Sequence, residues 1–473
     1  MIEMTKRLNK IMSLLMAIIA VSSCSVKTVR PEKYGFSPDA SATVNTSALQ
    51  RALDGGRRRV VLENPGVYKL NGTIYLDSDT ELICAEGVVL QKDSSYTQML
   101  VNRGAPLREY NENITVKGLT VSVNGYDNPP KGGDALFGLR AQLSFMCTRN
   151  VKVENYTLED LGKMQYGIQF NMSEHFTLDG FVIRGDKDAV HLSSCSDFII
   201  RNGICQTFDD CLALNASDWS SSNCVDGDIT DGLIENIVDE KLDPTSGELC
   251  RLLTGAWVDW HEGISIRRSD VVVYNSRLYR ALAPVKDTTY ISTAPPTIDT
   301  FEGTQKDSAG FWWKLMRRDT VYYSTNIRNI TLRNIRALSG RIAISEETSF
   351  GDGPWARNFH EEVTDPAKFP SYENILVEDC DFSGSSHLFG RNDYANSEVT
   401  FRRVRGFRHG FSISGPVDST LRDITRFEEC DFSDNVEEYD FNIYSGGKVV
   451  THKCIFPAGV RLGNVDGSYS DKI

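Results

Sequence analysis

Asn150-Val151-Lys152-Val153-Glu154-Asn155, His175-Phe176-Thr177-Leu178-Asp179-Gly180 and Asp197-Phe198-Ile199-Ile200-Arg201-Asn202 are three versions of one phrase. Each has a polar turn residue, an alternating apolar run and a second turn residue. Asn113-Ile114-Thr115-Val116-Lys117-Gly118-Leu119 precedes them, and Asn329 to Asn334 and Asn374 to Asp379 follow. Two later copies share a word, Cys380-Asp381-Phe382-Ser383 and Cys430-Asp431-Phe432-Ser433. Between equivalent positions, Phe176 to Phe198 is 22 residues, Ile375 to Val399 is 24 and Val151 to Phe176 is 25. Short period-2 strands returning at that length suit the coils of a β-solenoid. A leucine-rich repeat would show a fixed leucine ladder, and a β-sandwich gives no reason for one phrase to recur. Stacked coils bury a continuous core that no single coil could bury.

Upstream, Asn45 to Leu53 reads as a short amphipathic helix, placed to cover the open strand edges at the end of a solenoid. Gly55-Gly56 follows, then Val60-Val61-Leu62, Gly66-Val67-Tyr68, Thr73 to Leu76 and Val88-Val89-Leu90. This opening resembles pectin-lyase-like proteins, over most of residues 34–250 and again from near 326. The expected fold is all-β: a right-handed, single-stranded parallel β-helix with an N-terminal cap helix.

Residues 1–24 are set apart from the fold. Lys6, Arg7 and Lys10 precede an eleven-residue apolar run, Ile11 to Val21, too short to span a bilayer. Val21-Ser22-Ser23-Cys24 resembles a bacterial lipoprotein cleavage site, so Cys24 is the expected lipid anchor. The chain is expected to be an exported lipoprotein of the periplasm, outer membrane or cell surface, touching membrane through the anchor only. The net charge of −13 argues against a nucleic-acid partner, which needs a concentrated basic surface. The ten remaining cysteines show no zinc-type spacing, and several, including Cys84, Cys205 and Cys380, sit in apolar runs as small buried hydrophobes. One or two disulfides are compatible with this placement, but no pair is singled out. No metal or other cofactor is expected.

Asp186-Lys187-Asp188-Ala189-Val190-His191-Leu192 is followed by Thr207-Phe208-Asp209-Asp210-Cys211-Leu212. Asp188 and Asp209 are 21 apart, about one coil, so three carboxylates converge on one groove. Crowded carboxylates repel, and at least one keeps its proton near neutrality. An isolated Asp-Asp usually just bonds backbone N–H groups at a corner; three acids at coil spacing point to glycoside hydrolysis chemistry. The phrase resembles the two carboxylate motifs of the polygalacturonase family, glycoside hydrolase family 28. That resemblance implies Asp210 as general acid, with Asp188 and Asp209 placing and deprotonating water. It also implies inversion, which needs carboxyl groups about 6.5–9.5 Å apart. The family's later Gly-His-Gly and Arg-x-Lys motifs are missing. The nearby His261 lies 51 residues past Asp210 in His-Glu-Gly, and Arg280 and Arg341 replace the basic motif in residue type only.

Between 217 and 325 the rhythm is lost, and five of six tryptophans fall there: Trp219, Trp257, Trp260, Trp312 and Trp313. Residues 257–316 partly resemble the small chitin- and cellulose-binding modules of carbohydrate-binding families 5 and 12. Val271-Val272-Val273, Tyr279-Arg280-Ala281 and Trp312-Trp313 carry the likeness. The expected organisation is a signal peptide (1–24), β-helix (30–256), an inserted module lying laterally on it (257–316) and further β-helix (317–473). Indoles stack on sugar C–H faces but also build the core of any small module. Expected substrate contacts are His191, Arg280, Arg341, Trp219 and Trp260. The leading expectation is a polysaccharide-active inverting glycoside hydrolase. A non-catalytic glycan-binding lipoprotein and a polysaccharide lyase remain open alternatives, and the oligomeric state is not specified.

Overall fold

The turn residues of the repeated phrase form the corners of the molecule. Asn113, Asn150, His175, Asp197, Asp231, Asn329 and Asn374 all take φ between 52° and 58°. The second turn residues Asn155, Asn202, Asn236, Asn334 and Asp379 take φ between 49° and 57°. Asn and Asp tolerate this left-handed conformation because their short polar side chains bond locally. These values come from a computed structural model that describes residues 26–127, 138–219, 225–285, 288–319, 322–348, 359–385, 388–391, 394–406, 412–414, 421–433, 440–444, 448–456 and 461–462. The signal segment and Cys24 lie outside the described residues.

Each corner side chain also bonds to the next coil. Asn150 donates to Asn113 (3.2 Å), Asn329 to Asp231 (2.8 Å) and Asn374 to Asn329 (3.0 Å). At the second corner, Asn236 donates to Asn202 (3.0 Å) and Asn334 to Asn236 (2.7 Å). Such ladders hold register. Val151 pairs with Phe176, Phe176 with Phe198, Phe198 with Gly232, Gly232 with Ile330, Ile330 with Ile375 and Ile375 with Val399, all in parallel. The three coil lengths counted in the sequence are therefore real register distances. Among the described residues, 23 strands join in this parallel β-helix.

Inside, like residues stack on like. The rings of Phe145, Phe170, Phe176 and Phe198 follow one another at centroid separations of 5.1, 4.1 and 5.2 Å. The column ends at Gly232, where a Cβ would collide with the Phe198 ring. The cap helix spans Ala42–Leu53, starting three residues before the expected Asn45 because Ser41 caps it, accepting from the Val44 N–H at 3.4 Å. Its Ala48, Leu49, Ala52 and Leu53 are buried on the end of the coil stack.

Between the coil strands Glu248–Leu253 and Asn326–Ala337 the chain makes a separate five-stranded sheet. In spatial order its strands are Val258–Asp259, Val271–Tyr274, Arg277–Leu282, Trp312–Arg317 and Gln305–Lys306. It has its own core, including Ile264, Val272, Tyr279, Phe311 and Trp313. The sheet is not a loose lateral graft. Arg280 reaches out of it to Asp226 on the loop before the next coil strand, at 2.5 Å, with both side chains fully buried. Trp257, also fully buried, packs with Val271, Leu278 and Met316 at the same junction.

A disulfide links Cys205 to Cys211. Cys205 is thus a cross-link between the end of one strand and the start of the next, not the simple buried hydrophobe its apolar run suggested. Cys84, Cys195, Cys250, Cys380, Cys430 and Cys454 are buried thiols.

Removing one partner of a buried ion pair leaves an uncompensated charge. Arg280→Met should therefore destabilise the protein by about 3–5 kcal/mol, measured by denaturant unfolding. Adding Asp226→Leu to that variant should recover most of the loss.

Candidate active site

Three consecutive coils place Asp188, Asp210 and Glu248 in one column. Val190 pairs with Leu212 and Leu212 with Cys250, and each of the three acids stands two residues before its member of this row. The Ala189 N–H donates to the Asp210 carbonyl and the Cys211 N–H to the Glu248 carbonyl, both at 3.0 Å. Asp209 stands beside the column, and Asp188, Asp209 and Asp210 each bring a carboxylate oxygen within 4.8 Å of the other two. The convergence expected from the 21-residue spacing is present. One oxygen from each acid could together take a cation, but the Lys187 ammonium already sits there, in contact with Asp209 and 3.5 Å from Asp188.

The acids are buried to different depths. Asp188 and Asp210 are 3% and 2% exposed, whereas the Asp209 side chain keeps 27% of its surface. Burial opposes the charge on Asp188, but the Lys187 ammonium and the His191 hydrogen bond outweigh it and hold this carboxyl well below the usual carboxylate range. Burial and the neighbouring Asp188 charge push Asp210 the other way, against the pull of Arg251. Glu248 rises furthest, to about 9, through burial and then the charges of Asp210 and Glu347. The column thus holds a carboxyl shifted down at one end and carboxyls shifted up above it.

Among the described residues three cations are engaged directly with the cluster, and a fourth, Arg140, lies over the Tyr166 ring at 4.5 Å and adds its charge to the pull on Asp188. Arg251 lies one coil beyond Ala213, with Nη1 3.8 Å from Asp210 and Nε donating to Glu347 at 3.1 Å. Its guanidinium lies over the Trp219 ring, 4.9 Å from the centroid. Arg341 is 3% exposed and braces the backbone: Nη1 donates to the Asp209 carbonyl at 2.6 Å and Nη2 to that of Thr207. Its Nε faces Ser339 at 2.9 Å and Asp239 at 3.5 Å. Its place is therefore beneath the acid cluster, fixing the Asp209-Asp210 turn, rather than against a substrate.

The other expected contacts divide. Trp219 does stand with the cluster through Arg251, and its backbone N–H donates to the Asp218 carboxylate at 2.6 Å. His191 is fully buried, sandwiched between elements of the site. Its Nδ1 meets Asp188 at 2.9 Å, its Nε2 faces Asp218 at 3.5 Å, and its ring stacks on Tyr166 at 4.3 Å. It orients Asp188 and presents no surface to a sugar. Arg280 is buried against Asp226, and Trp260 bonds Ser292 (2.9 Å) and edges onto Tyr274 inside the inserted sheet. His261 pairs with Glu362 at 2.7 Å, on the surface. Glu248, Arg251 and Glu347 were not legible in the sequence. Glu248 lies 38 residues past Asp210, beyond any counted coil length. Lys187 stood in the quoted phrase and could have been read as the counter-charge of its neighbour.

No family model matches the chain, and no curated protein matches it. Solved structures do. A family 28 exopolygalacturonase from Yersinia enterocolitica is 12% identical, with 95% of this chain and 80% of that chain covered and a TM-score of 0.53. An exopolygalacturonase from Thermotoga maritima is 12% identical over 93% of this chain and 91% of that one, with a TM-score of 0.48. The Streptococcus pneumoniae surface protein and adhesin PfbA is 13% identical over 94% and 99%, with a TM-score of 0.44. At such identities a likeness speaks for architecture alone, and the architecture is a parallel β-helix like that of the Yersinia family 28 enzyme.

Proposed function

We propose that the chain is a polysaccharide-active enzyme that hydrolyses glycosidic bonds. The observation that carries this reading is the convergence of Asp188, Asp209 and Asp210, each with a carboxylate oxygen within 4.8 Å of the other two, where the surroundings shift Asp188 below and Asp210 above the usual carboxylate value. Hydrolysis needs a pair of states: an acid to protonate the leaving oxygen and a charged group to take a proton from water. In this scheme Asp210 gives its proton to the glycosidic oxygen as the bond to the anomeric carbon breaks. Water attacks that carbon and passes its proton to Asp188 or Asp209. One oxygen of each acid lies within 4.8 Å of the other two. The inversion implied by the sequence resemblance needs room for the attacking water between carboxyl groups about 6.5–9.5 Å apart.

A second reading, a glycan-binding protein without turnover, draws on Lys187. Its ammonium contacts Asp209 and lies 3.5 Å from Asp188, and Asp188 and Asp210 are almost wholly covered. Under the enzymatic reading, Asp210→Asn should keep fold and glycan retention while lowering turnover by roughly 10²–10⁴-fold. Asp188→Asn and Asp209→Asn should each be severe and not additive with one another. Chromatography of digests with anomer analysis checks this. Wild-type retention of glycan with no turnover on any substrate, unchanged in all three variants, would establish the binding reading instead.

The proton balance also sets a pH dependence of stability. Glu248 keeps its proton in the folded state up to about 9 but loses it near 4.5 when unfolded. Its contribution is full below the unfolded value and is lost as pH rises through the window from about 4.5 to about 9. Glu248→Gln should flatten the fall in unfolding free energy across that window; an unaltered slope would remove Glu248 from the proton balance.

For location, we propose lipid anchorage at Cys24. Cys24→Ser should give a folded protein that no longer sediments with membranes. Equal sedimentation of the variant would overturn the anchor.

A further inference from the structure

We infer that the site takes an uncharged glycan and rejects uronic-acid polymers, with Trp219 and Phe208 supplying the sugar-stacking faces. The inference rests on the reading that this column is the glycan site, and it names the substrate class.

Recognition of a uronate needs a cation whose hydrogen bonds are not already spent, above all an Arg able to meet the carboxylate with two N–H groups. Among the described residues Lys187, Arg251 and Arg341 are each committed, and Arg140 lies over the Tyr166 ring. Lys187 bridges Asp188 and Asp209. Taking it for a substrate carboxylate would strip Asp188, 3% exposed, of its main counter-charge. Arg251 gives two of its nitrogens, Nε and Nη2, to the single oxygen Oε2 of Glu347. Glu347 thus occupies the place on Arg251 that a sugar acid would need. Arg341 points its N–H groups into backbone carbonyls beneath the floor.

The Asp209 and Glu347 side chains keep 27% and 21% of their surface, and the Lys187 bound to Asp209 keeps 22%. Two aromatic side chains adjoin these groups, one in sequence and one through Arg251. Phe208 directly precedes Asp209 and is 39% exposed, one of few large hydrophobic side chains so open. Trp219 is half-buried at the other side of Arg251, which covers one face of its indole. A neutral sugar asks for such C–H contacts and for hydroxyl partners, which ionised Asp209 and Glu347 provide as acceptors.

Affinity electrophoresis of the full mature chain tests this, in gels containing galactan, galactomannan or mixed-linkage β-glucan against gels containing polygalacturonate or alginate. Wild type and Asp210→Asn should be retarded by at least one neutral polymer and by neither acidic one. Phe208→Ala and Trp219→Ala should each weaken that retention by up to roughly tenfold. Glu347→Gln, which uncovers Arg251, should gain retention on polygalacturonate, and its melting temperature shows whether it is folded. If it is not, the wild-type panel alone decides. Retardation of wild type by polygalacturonate or alginate as strong as by the neutral polymers overturns the inference. So does the lack of retardation on every neutral polymer. Retention on neutral polymers without any turnover leaves the substrate class standing and removes only the hydrolytic reading.

Discussion

The structure depends on one backbone constraint: residues in the left-handed region recur at the corners of the coils, and many are held there by a side chain that bonds to the coil beside them. A parallel stack has no hairpin to set its register, so the corners must do so. Asn113 under Asn150, and Asp231 under Asn329 under Asn374, do this with side-chain bonds of 2.8–3.2 Å. Because the corners are aligned, the inward residues are aligned as well, and the Phe145, Phe170, Phe176 and Phe198 rings stack as a column. The same alignment works on the outer surface.

That is how the acids meet. In a stack with fixed register, residues about one coil apart in sequence become neighbours about one strand spacing apart, whatever their charge. Like charges brought together in this way must be paired or protonated. The molecule uses both remedies: Lys187 and His191 keep Asp188 charged, while Asp210 and Glu248 hold protons more tightly than free carboxyls do. Arg251 and Arg341 are spent on the same task, one on Glu347 and one on the backbone of the Asp209-Asp210 turn. The site is therefore an internally balanced charge cluster.

The inserted sheet shows the other side of stacking. The coil strand Ile229–Asp239 pairs directly with Asn326–Ala337, so the solenoid closes over the interruption with its register kept. The sheet that fills the gap returns to the solenoid through the buried Arg280–Asp226 pair and Trp257. Two of its tryptophans, Trp257 and Trp313, are interior. Its aromatic richness is thus explained in part by the small core it must build.

The sequence by itself determined the coil: its turn residues, its strand alternation and its lengths of 22, 24 and 25 residues, all of which depend on local geometry and a short-range repeat. It also determined that Asp188, Asp209 and Asp210 would converge, because one coil length suffices to place them. Which groups beyond Lys187 and His191 surround those acids was decided only by the tertiary structure. Glu248, Arg251, Glu347 and Arg341 come from coils separated from Asp210 by long connections, so no spacing rule reaches them. The fates of His191 and Arg280 were decided in the same way. Each had the right chemistry for a sugar contact, but whether a polar side chain faces solvent or a buried counter-charge depends on what packs over it. In this chain that covering comes from segments distant in sequence: His191 faces Asp218 from the loop beyond the next strand, and Arg280 meets Asp226 54 residues away.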